Sequence, residues 1–216
     1  MKHKNVIIPQ YDVPDGLTPL EVQVIVNEKI SNKSISAELI YLANKGYIKI
    51  DQEYPVLELH KDFLNSKKDY KFTFLKYPDD SLPIFDKEIL SMIFGPKSEI
   101  PNIVYFSDLN FRFQNSIYKI KKQVEDTLIQ NNYYKSFLNL MFVRTEKGVY
   151  MNEYLLGLKE YLQIAEKDRI KFHNSPNKRP EVFEKLLPFA IVLGVENLWA
   201  KEFEDVYNTP PSRYTG

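Results

Sequence analysis

The sharpest group of charged side chains lies in the segment AEKDR, residues 165–169. Glu166 and Arg169 are three residues apart, so a helix would place a carboxylate beside a guanidinium, with Asp168 close by. Such a group could hold a cation or a phosphate. The same spacing is typical of an ordinary ion pair within a helix, with Asp168 reaching the end of a neighbouring helix. We favour this structural interpretation.

A second candidate is the pair Arg144-Thr145. Arg144 could bind a phosphate group, because a guanidinium matches phosphate oxygens, and Thr145 could be modified. Thr145 is also a suitable N-cap for a helix whose first turn contains Lys147 and Gly148. We favour the capping interpretation.

The single tryptophan, Trp199, and the nearby Lys201 form the third candidate. An exposed tryptophan beside a lysine could mark a surface that binds a partner. A lone tryptophan among leucines and phenylalanines is more often part of a core, because burial of its large ring removes much apolar area from water. We therefore expect Trp199 to anchor the C-terminal helices.

Other common kinds of site are absent from the sequence. The chain has no cysteine, which excludes disulfides, thiolate metal sites and cysteine nucleophiles and fits a reducing cytoplasm. The histidines, His3, His60 and His173, are scattered, and the seven glycines form no phosphate-binding loop. We therefore predict no catalytic residue, no bound metal and no cofactor, and an enzyme is the less favoured class.

Composition limits the partners and the architecture. Lysine plus arginine equals aspartate plus glutamate at 29 each, so no net field attracts a polyanion or an anionic bilayer. A chain of 216 residues that is 44% hydrophobic can form one sizeable core or two small domains. No apolar run reaches the roughly 18 residues of a membrane-spanning helix, so this chain is expected to be soluble.

The first part of the chain predicts an α+β unit. Thr18-Pro19 with Glu21 predicts a capped helix to about Asn27, and apolar residues at helical spacing predict a second helix over 34–45 that ends at Gly46. Alternating residues then predict strands at 47–50, 56–60 and 70–75. The order helix, helix, strand, hairpin is similar to a winged-helix module, which we assign to residues 1–80.

A second helical unit, itself winged-helix-like or purely helical, is predicted over residues 81–136. It contains a short helix, 86–94, and a long helix that Ser107 caps and that ends near Gln130. The segments LANKGYIKI and LIQNNYYKS end helices in the same way, which fits either a duplication or two ordinary helix ends. Residues 144–216 are predicted to form a C-terminal helical cap with a long helix, about 149–171, and two short helices around Pro188 and Gly194.

Four phrases of the sequence carry a family resemblance. They are VPDGLTP with Glu21 following, RTEKG at 144–148, AEKDR at 165–169, and LPFAIVLGVENLWAKEF at 187–203. With these phrases, nearly the whole chain resembles the predicted bacterial membrane proteins of domain-of-unknown-function family 2207. The resemblance implies an extracytoplasmic β-domain, a membrane span and a cytoplasmic region, of which this chain would be the last.

One segment departs from the family pattern. In the family, hydrophobic spans lie between the aromatic end of the long helix and the RTEKG phrase, whereas nine residues, 135–143, occupy that place here. A helix needs about 20 residues to cross a bilayer. We interpret the chain as a cytoplasmic region whose spans have been removed, with residues 137–143 as an exposed or poorly ordered junction. A natural soluble paralogue is the alternative.

The sequence and the resemblance together favour a non-catalytic protein-interaction or signalling module on the cytoplasmic face of a bacterial membrane. A protein partner is expected, and the membrane would be reached through spans absent from this chain. The first alternative is a membrane-tethered DNA-binding regulator. The recognition-helix candidate, 34–45, disfavours it because Glu38 is acidic and Lys45 is its one strong contact for phosphate. A distant alternative is an enzyme of unknown class.

Overall fold

A computed structural model describes residues 8–14, 16–51, 70–95, 103–137, 141–164 and 180–198, and it has the α+β class that the sequence predicts. The helices are α1 (Pro19–Asn27), α2 (Asn32–Asn44), α3 (Ile84–Phe94), α4 (Asn110–Gln130), α5 (Glu146–Ile164) and α6 (Pro180–Leu193). The strands are β1 (Ile48–Asp51), β2 (Lys71–Phe74), β3 (Ile103–Tyr105), β4 (Tyr134–Phe137) and β5 (Met141–Arg144).

Helix α1 begins with the predicted capping box. The Thr18 hydroxyl accepts a hydrogen bond from the Glu21 amide at 3.4 Å, and the Glu21 carboxylate accepts one from the Thr18 amide at 3.0 Å. These bonds satisfy two amides at the helix start, and Pro19 needs no partner there. The helix ends at Asn27, as predicted.

Helices α1 and α2 are the centre of the molecule. Helix α2 begins at Asn32, two residues before the predicted start, because Ser31 and Ser34 cap each other's amides. All residues from 34 to 40 are buried, and so are residues 19–25 of α1. Helices α2, α4, α5 and α6 pack around α1, and α6 also covers α2. A helix that is buried on every side is a core helix rather than a surface one.

A three-stranded antiparallel sheet lies beside α2, in the order β1-β2-β3. Strands β1 and β2 confirm two of the predicted strands. The register places Ile50, Phe72 and Val104 in one row, and all of them are buried. Strand β3 follows α3 in the chain, which the sequence did not predict, and the expected strand at 56–60 lies outside the described residues.

The long helix and its exit agree with the sequence in part. Helix α4 begins at Asn110 after a 3-10 helix, Phe106–Leu109, so the prediction that Ser107 caps it is wrong. It ends at Gln130, and Asn132 adopts a left-handed φ of 60° that turns the chain into β4. Strands β4 and β5 form an antiparallel hairpin at the segment predicted to be a junction.

The sequence predicted two short helices around Pro188 and Gly194. Helix α6 contains Pro188 and runs through it without interruption. The helix ends before Gly194, whose φ of 73° is a left-handed conformation that glycine adopts without strain, and residues 196–198 are helical again.

The predicted cap and the predicted first unit share one core. Helices α5 and α6 pack against α1, and the N-terminal segment 8–14 lies along α5, where the rings of Tyr11 and Tyr161 meet edge to face at 4.9 Å. The division of the chain at residues 80, 136 and 143 stays a prediction. In the part of the chain that the structure describes, no helix is both long and apolar enough to cross a bilayer.

Candidate functional site

An open groove is lined by residues 13–14 and 16–17, by the end of α2 and by α6. Its volume is about 290 Å³. Apolar side chains of the N-terminal residues and the aromatic rings of Tyr41 and Phe189 contribute to its lining. These two rings pack edge to face with their centroids 6.0 Å apart, which fixes their orientation.

Charged side chains surround the groove. Lys45 follows the last residue of α2, and its Nζ lies 5.4 Å from the centre of the Tyr41 ring. On α6, Glu181 is exposed at the rim. Lys185 forms an ion pair with Asp12 at 2.7 Å, so its charge is balanced by the N-terminal segment. The groove therefore combines an apolar, aromatic interior with a charged rim.

Three buried carboxyl groups lie next to this groove in the helical core. They belong to Glu21 of α1, Glu38 of α2 and Asp86 of α3, and each side chain is at most 2% exposed. Glu38 accepts a hydrogen bond from the Leu20 amide at 2.7 Å. Among the described residues, no cluster of three or more histidine, aspartate or glutamate side chains has a metal-binding arrangement.

Burial changes the acidity of these groups. Loss of hydration raises the pKa of Glu21 to about 7, against the effect of its hydrogen bonds with Thr18. Burial and the adjacent Asp86 carboxyl raise the pKa of Glu38 well above its usual range, and burial also raises that of Asp86. The pKa of the Tyr41 hydroxyl is raised by burial and by the nearby Glu38 charge. Tyr41 therefore lines the groove, and its hydroxyl group interacts electrostatically with the buried carboxyl groups.

Arg144 binds the end of α1. Its Nη2 and Nε donate to the Ile25 carbonyl at 2.8 and 3.2 Å, and Nη2 lies 3.0 Å from a Glu28 carboxylate oxygen. The Tyr134 hydroxyl accepts from Arg144 Nε and donates to the Val24 carbonyl. The Arg144 bonds supply donors to the Ile25 carbonyl at the C-terminus of the helix, where carbonyls lose their intrahelical partners, and the Tyr134 bond is a second one to the Val24 carbonyl, which also accepts from the Glu28 amide.

Thr145 precedes α5 in the geometry of an N-cap. Its hydroxyl accepts from the Gly148 amide at 3.1 Å and donates to the Asn132 carbonyl at 2.6 Å. Gly148 approaches the Tyr133 carbonyl so closely that a Cβ atom would overlap it. Thr145 is 8% exposed, and both of its hydrogen-bonding roles are occupied.

Comparison with protein families gives one match, in two parts that cover residues 7–140 and 136–203. The family is described as predicted membrane protein (DUF2207) C-terminal domain. Because these parts cover most of the chain, the match decides membership. The chain belongs to the DUF2207 C-terminal domain family. Neither a curated protein nor a solved structure matches it significantly.

The remaining candidates of this DUF2207 domain are not placed by the structure. They are Glu166, Asp168, Arg169, Trp199 and Lys201, and all lie outside the described residues. Their assignment as structural or binding residues stays a prediction.

The buried acids of the DUF2207 domain were not predicted as a group. Glu38 was interpreted as an acid on a recognition helix, which would need to be exposed, but it is 0% exposed because its carboxyl group lies against the Leu20 amide of α1 and the Asp86 carboxyl of α3. A signal was present in the sequence: Glu38 is spaced three and four residues from Ile35 and Leu42. That spacing places its carboxylate on the apolar face of α2.

Proposed function

We propose that this chain is a non-catalytic module that binds an extended segment of a partner protein in the groove between α2, α6, residues 13–14 and residues 16–17. The observation that carries the proposal is the open groove with an aromatic interior and a charged rim. Aromatic side chains are enriched where proteins bind each other, because they offer large apolar area at a small cost in conformational entropy.

The lining of the groove favours a segment with one large apolar side chain and one basic side chain. The apolar side chain would fill the space beside Tyr41 and Phe189. The basic side chain would pair with Glu181 at the rim, where Lys185 does not compete because it is paired with Asp12. Lys45 also lines the groove and disfavours a second basic residue beside it.

The walls of the groove support binding without rearrangement. Helix α2 is buried from residue 34 to residue 40, and the Asn44 side chain donates to the Glu184 carbonyl at 2.5 Å, which ties α2 to α6. A preformed site loses less conformational entropy on binding.

The order α1, α2, β1, β2 supports a winged-helix-like description of the first unit. The burial of α2 argues against use of that unit for DNA recognition, because residues 34–40 offer no face to a DNA groove. Protein binding at the surface of this unit is consistent with the burial of α2 and with the equal numbers of basic and acidic residues in the chain.

The intact protein is proposed to lie on the cytoplasmic face of a membrane, with its additional spans inserted at the β4–β5 hairpin. Two features support this place: the two matched parts meet at residues 136–140, and Phe137 pairs with Met141 across the hairpin. A chain that leaves at one of these residues and returns at the other would keep the fold. Protease protection of the intact protein in inverted membrane vesicles tests the orientation: cleavage within this domain is expected, and full protection would contradict it.

Selection from a display library of random peptides tests the groove. We expect enriched peptides to contain an aromatic residue near a lysine or arginine. Their binding should be lost in Glu181→Lys, whereas Asp126→Lys, a matched reversal of an exposed acid on α4, should leave it unchanged. Enriched peptides that bind parent and Glu181→Lys equally would contradict the groove as the site, and the absence of enrichment would contradict peptide binding.

A further inference from the structure

Two of the buried carboxyl groups face each other inside the core. Glu38 and Asp86 are both 0% exposed and lie within hydrogen-bond reach of each other, one on α2 and the other on α3. Two carboxylates at this separation, both charged and out of water, would repel strongly. The arrangement therefore needs a compensating group.

Most carboxyl oxygens of this pair lack a hydrogen-bond donor within the described ranges of the chain. Glu38 Oε2 accepts from the Leu20 amide, but Glu38 Oε1 and both Asp86 oxygens accept no hydrogen bond from an N–H or O–H donor of the described residues. A buried polar atom without a partner costs about 1 to 3 kcal/mol. A proton between the two carboxyl groups would supply the donor, because a protonated carboxyl donates to a carboxylate.

We propose that Glu38 and Asp86 form a buried proton-binding site that holds one shared proton and thereby couples the stability of the folded core to pH. The shared proton removes one of the two charges and makes a strong hydrogen bond with the other. Loss of that proton leaves two adjacent carboxylates in the core and lowers the stability of the fold.

Neighbouring charged groups both favour and disfavour ionisation of the Glu38–Asp86 pair. From α1, the buried Glu21 carboxyl disfavours a second negative charge, and from α2, Lys45 favours ionisation of Asp86. The Tyr41 hydroxyl is uncharged near neutral pH, because its own pKa is raised. Lys45 is exposed at the surface and the carboxyl groups are not, so repulsion within the core dominates.

The sign of the pH effect follows from these contacts. The native pair holds a proton that ordinary unfolded carboxyl groups release above about pH 4 to 5. Its contribution to stability is therefore complete at lower pH and is lost as pH rises through neutrality. For one extra proton bound in the native state, the equilibrium constant for unfolding rises about tenfold per pH unit.

Denaturation of the full chain at a series of pH values tests the proposal with Asp86→Asn and Glu38→Gln. Each new amide can donate to the remaining carboxylate, so each variant imitates the protonated pair. We expect each variant to weaken the parent's pH dependence by about tenfold per pH unit between about pH 5 and pH 7, while the dependence that Glu21 contributes remains. The control is Asp80→Asn, a fully exposed aspartate before α3, which should keep the parent's dependence. Equal pH dependence in parent, Asp86→Asn and Glu38→Gln would overturn the proposal.

Infrared difference spectroscopy supplies a second measurement that does not depend on the stability of a variant. A protonated carboxyl has a C=O absorption distinct from that of a carboxylate. We expect this band near pH 7 in the Glu21→Gln variant, in which the titrating Glu21 carboxyl is removed, and its loss when Asp86→Asn and Glu38→Gln are added. If the triple variant does not fold, the band is sought in the pH titration of Glu21→Gln alone. Absence of the band near pH 7 in Glu21→Gln would overturn the proposal.

Discussion

Asn44 Nδ2 donates a hydrogen bond to the main-chain carbonyl of Glu184 at 2.5 Å. Glu184 is four residues before Pro188, and proline has no amide hydrogen to donate to that carbonyl within the helix. The last residue of α2 therefore supplies the hydrogen bond that Pro188 removes from α6. This contact explains how α6 continues through a proline inside the core.

We predict that Asn44→Ala lowers the free energy of unfolding by about 1 to 3 kcal/mol, because it removes the side-chain hydrogen bond to the Glu184 carbonyl. Pro188→Ala should reduce this loss, since the new amide can donate to Glu184 within the helix. Urea denaturation of both single variants and the double variant measures the coupling. Strictly additive effects would show that the Asn44 bond does not compensate for the proline.

The position of the helix break shows the limit of local reasoning. Gly194 ends α6 through a left-handed conformation that glycine favours, and the sequence predicted this end. A proline in a helix interior ordinarily breaks or kinks the helix, and Pro188 does not interrupt α6 because a donor from another helix replaces the lost bond. That donor, Asn44, is 140 residues away from Glu184 in the chain, and no local pattern identifies it.

We predict that Arg144→Ala destabilises the protein, because two of its hydrogen bonds satisfy the Ile25 carbonyl at the end of α1. The expected loss is about 1 to 3 kcal/mol. Glu28→Ala removes only the partly exposed ion pair and should cost about 0 to 1 kcal/mol. Thermal denaturation with and without phosphate distinguishes the roles. An unchanged melting temperature in Arg144→Ala, with loss of stabilisation by phosphate, would assign Arg144 to a binding site.

We predict that Glu21→Gln is more stable than the parent above neutral pH. The native pKa of Glu21 is about 7 against an ordinary value of 4.5, so its contribution is present at low pH and is lost as pH rises through about 7. Glutamine can keep the capping box without this titration. Near pH 8 the variant should gain roughly 1 to 3 kcal/mol over the parent, and near pH 5 little.

Glu146→Gln is the matched control for this prediction, since Glu146 lies in the first turn of α5 and is exposed. Urea denaturation at both pH values gives the comparison. An equal change in both variants would contradict a special role for the burial of Glu21.

The capping box of α1 could be predicted from the sequence, whereas the pairing of the buried Glu38 and Asp86 carboxyl groups could not. Thr18 and Glu21 are three residues apart, so their reciprocal hydrogen bonds depend on local geometry, and the sequence predicted them. Glu38 and Asp86 are 48 residues apart and meet only because α2 and α3 pack in the same core. Each acid lies at helical spacing from apolar residues, which indicates burial of one side chain but does not identify its partner.

The β4–β5 hairpin gives the last prediction. Its base is fixed: Tyr134 stacks on Phe142 with ring centroids 3.8 Å apart, and Tyr134 and Arg144 both bind α1. The hairpin is also open to solvent on part of its surface: Ser136 is exposed and Val143 is 49% exposed. An insertion between Phe137 and Met141 should therefore cost mainly loop-closure entropy.

Lengthening that connection eightfold with a glycine-serine segment should lower the free energy of unfolding by roughly 2 kcal/mol, since each doubling costs about 0.6 kcal/mol. The same segment placed after Gly46 should abolish folding, because it separates the Tyr47 amide from the Leu42 carbonyl at the tight end of α2. Circular dichroism and urea denaturation of the two insertions decide the outcome. If both fail to fold, the hairpin is not a position that tolerates insertion, and the proposal that membrane spans enter the fold there is contradicted.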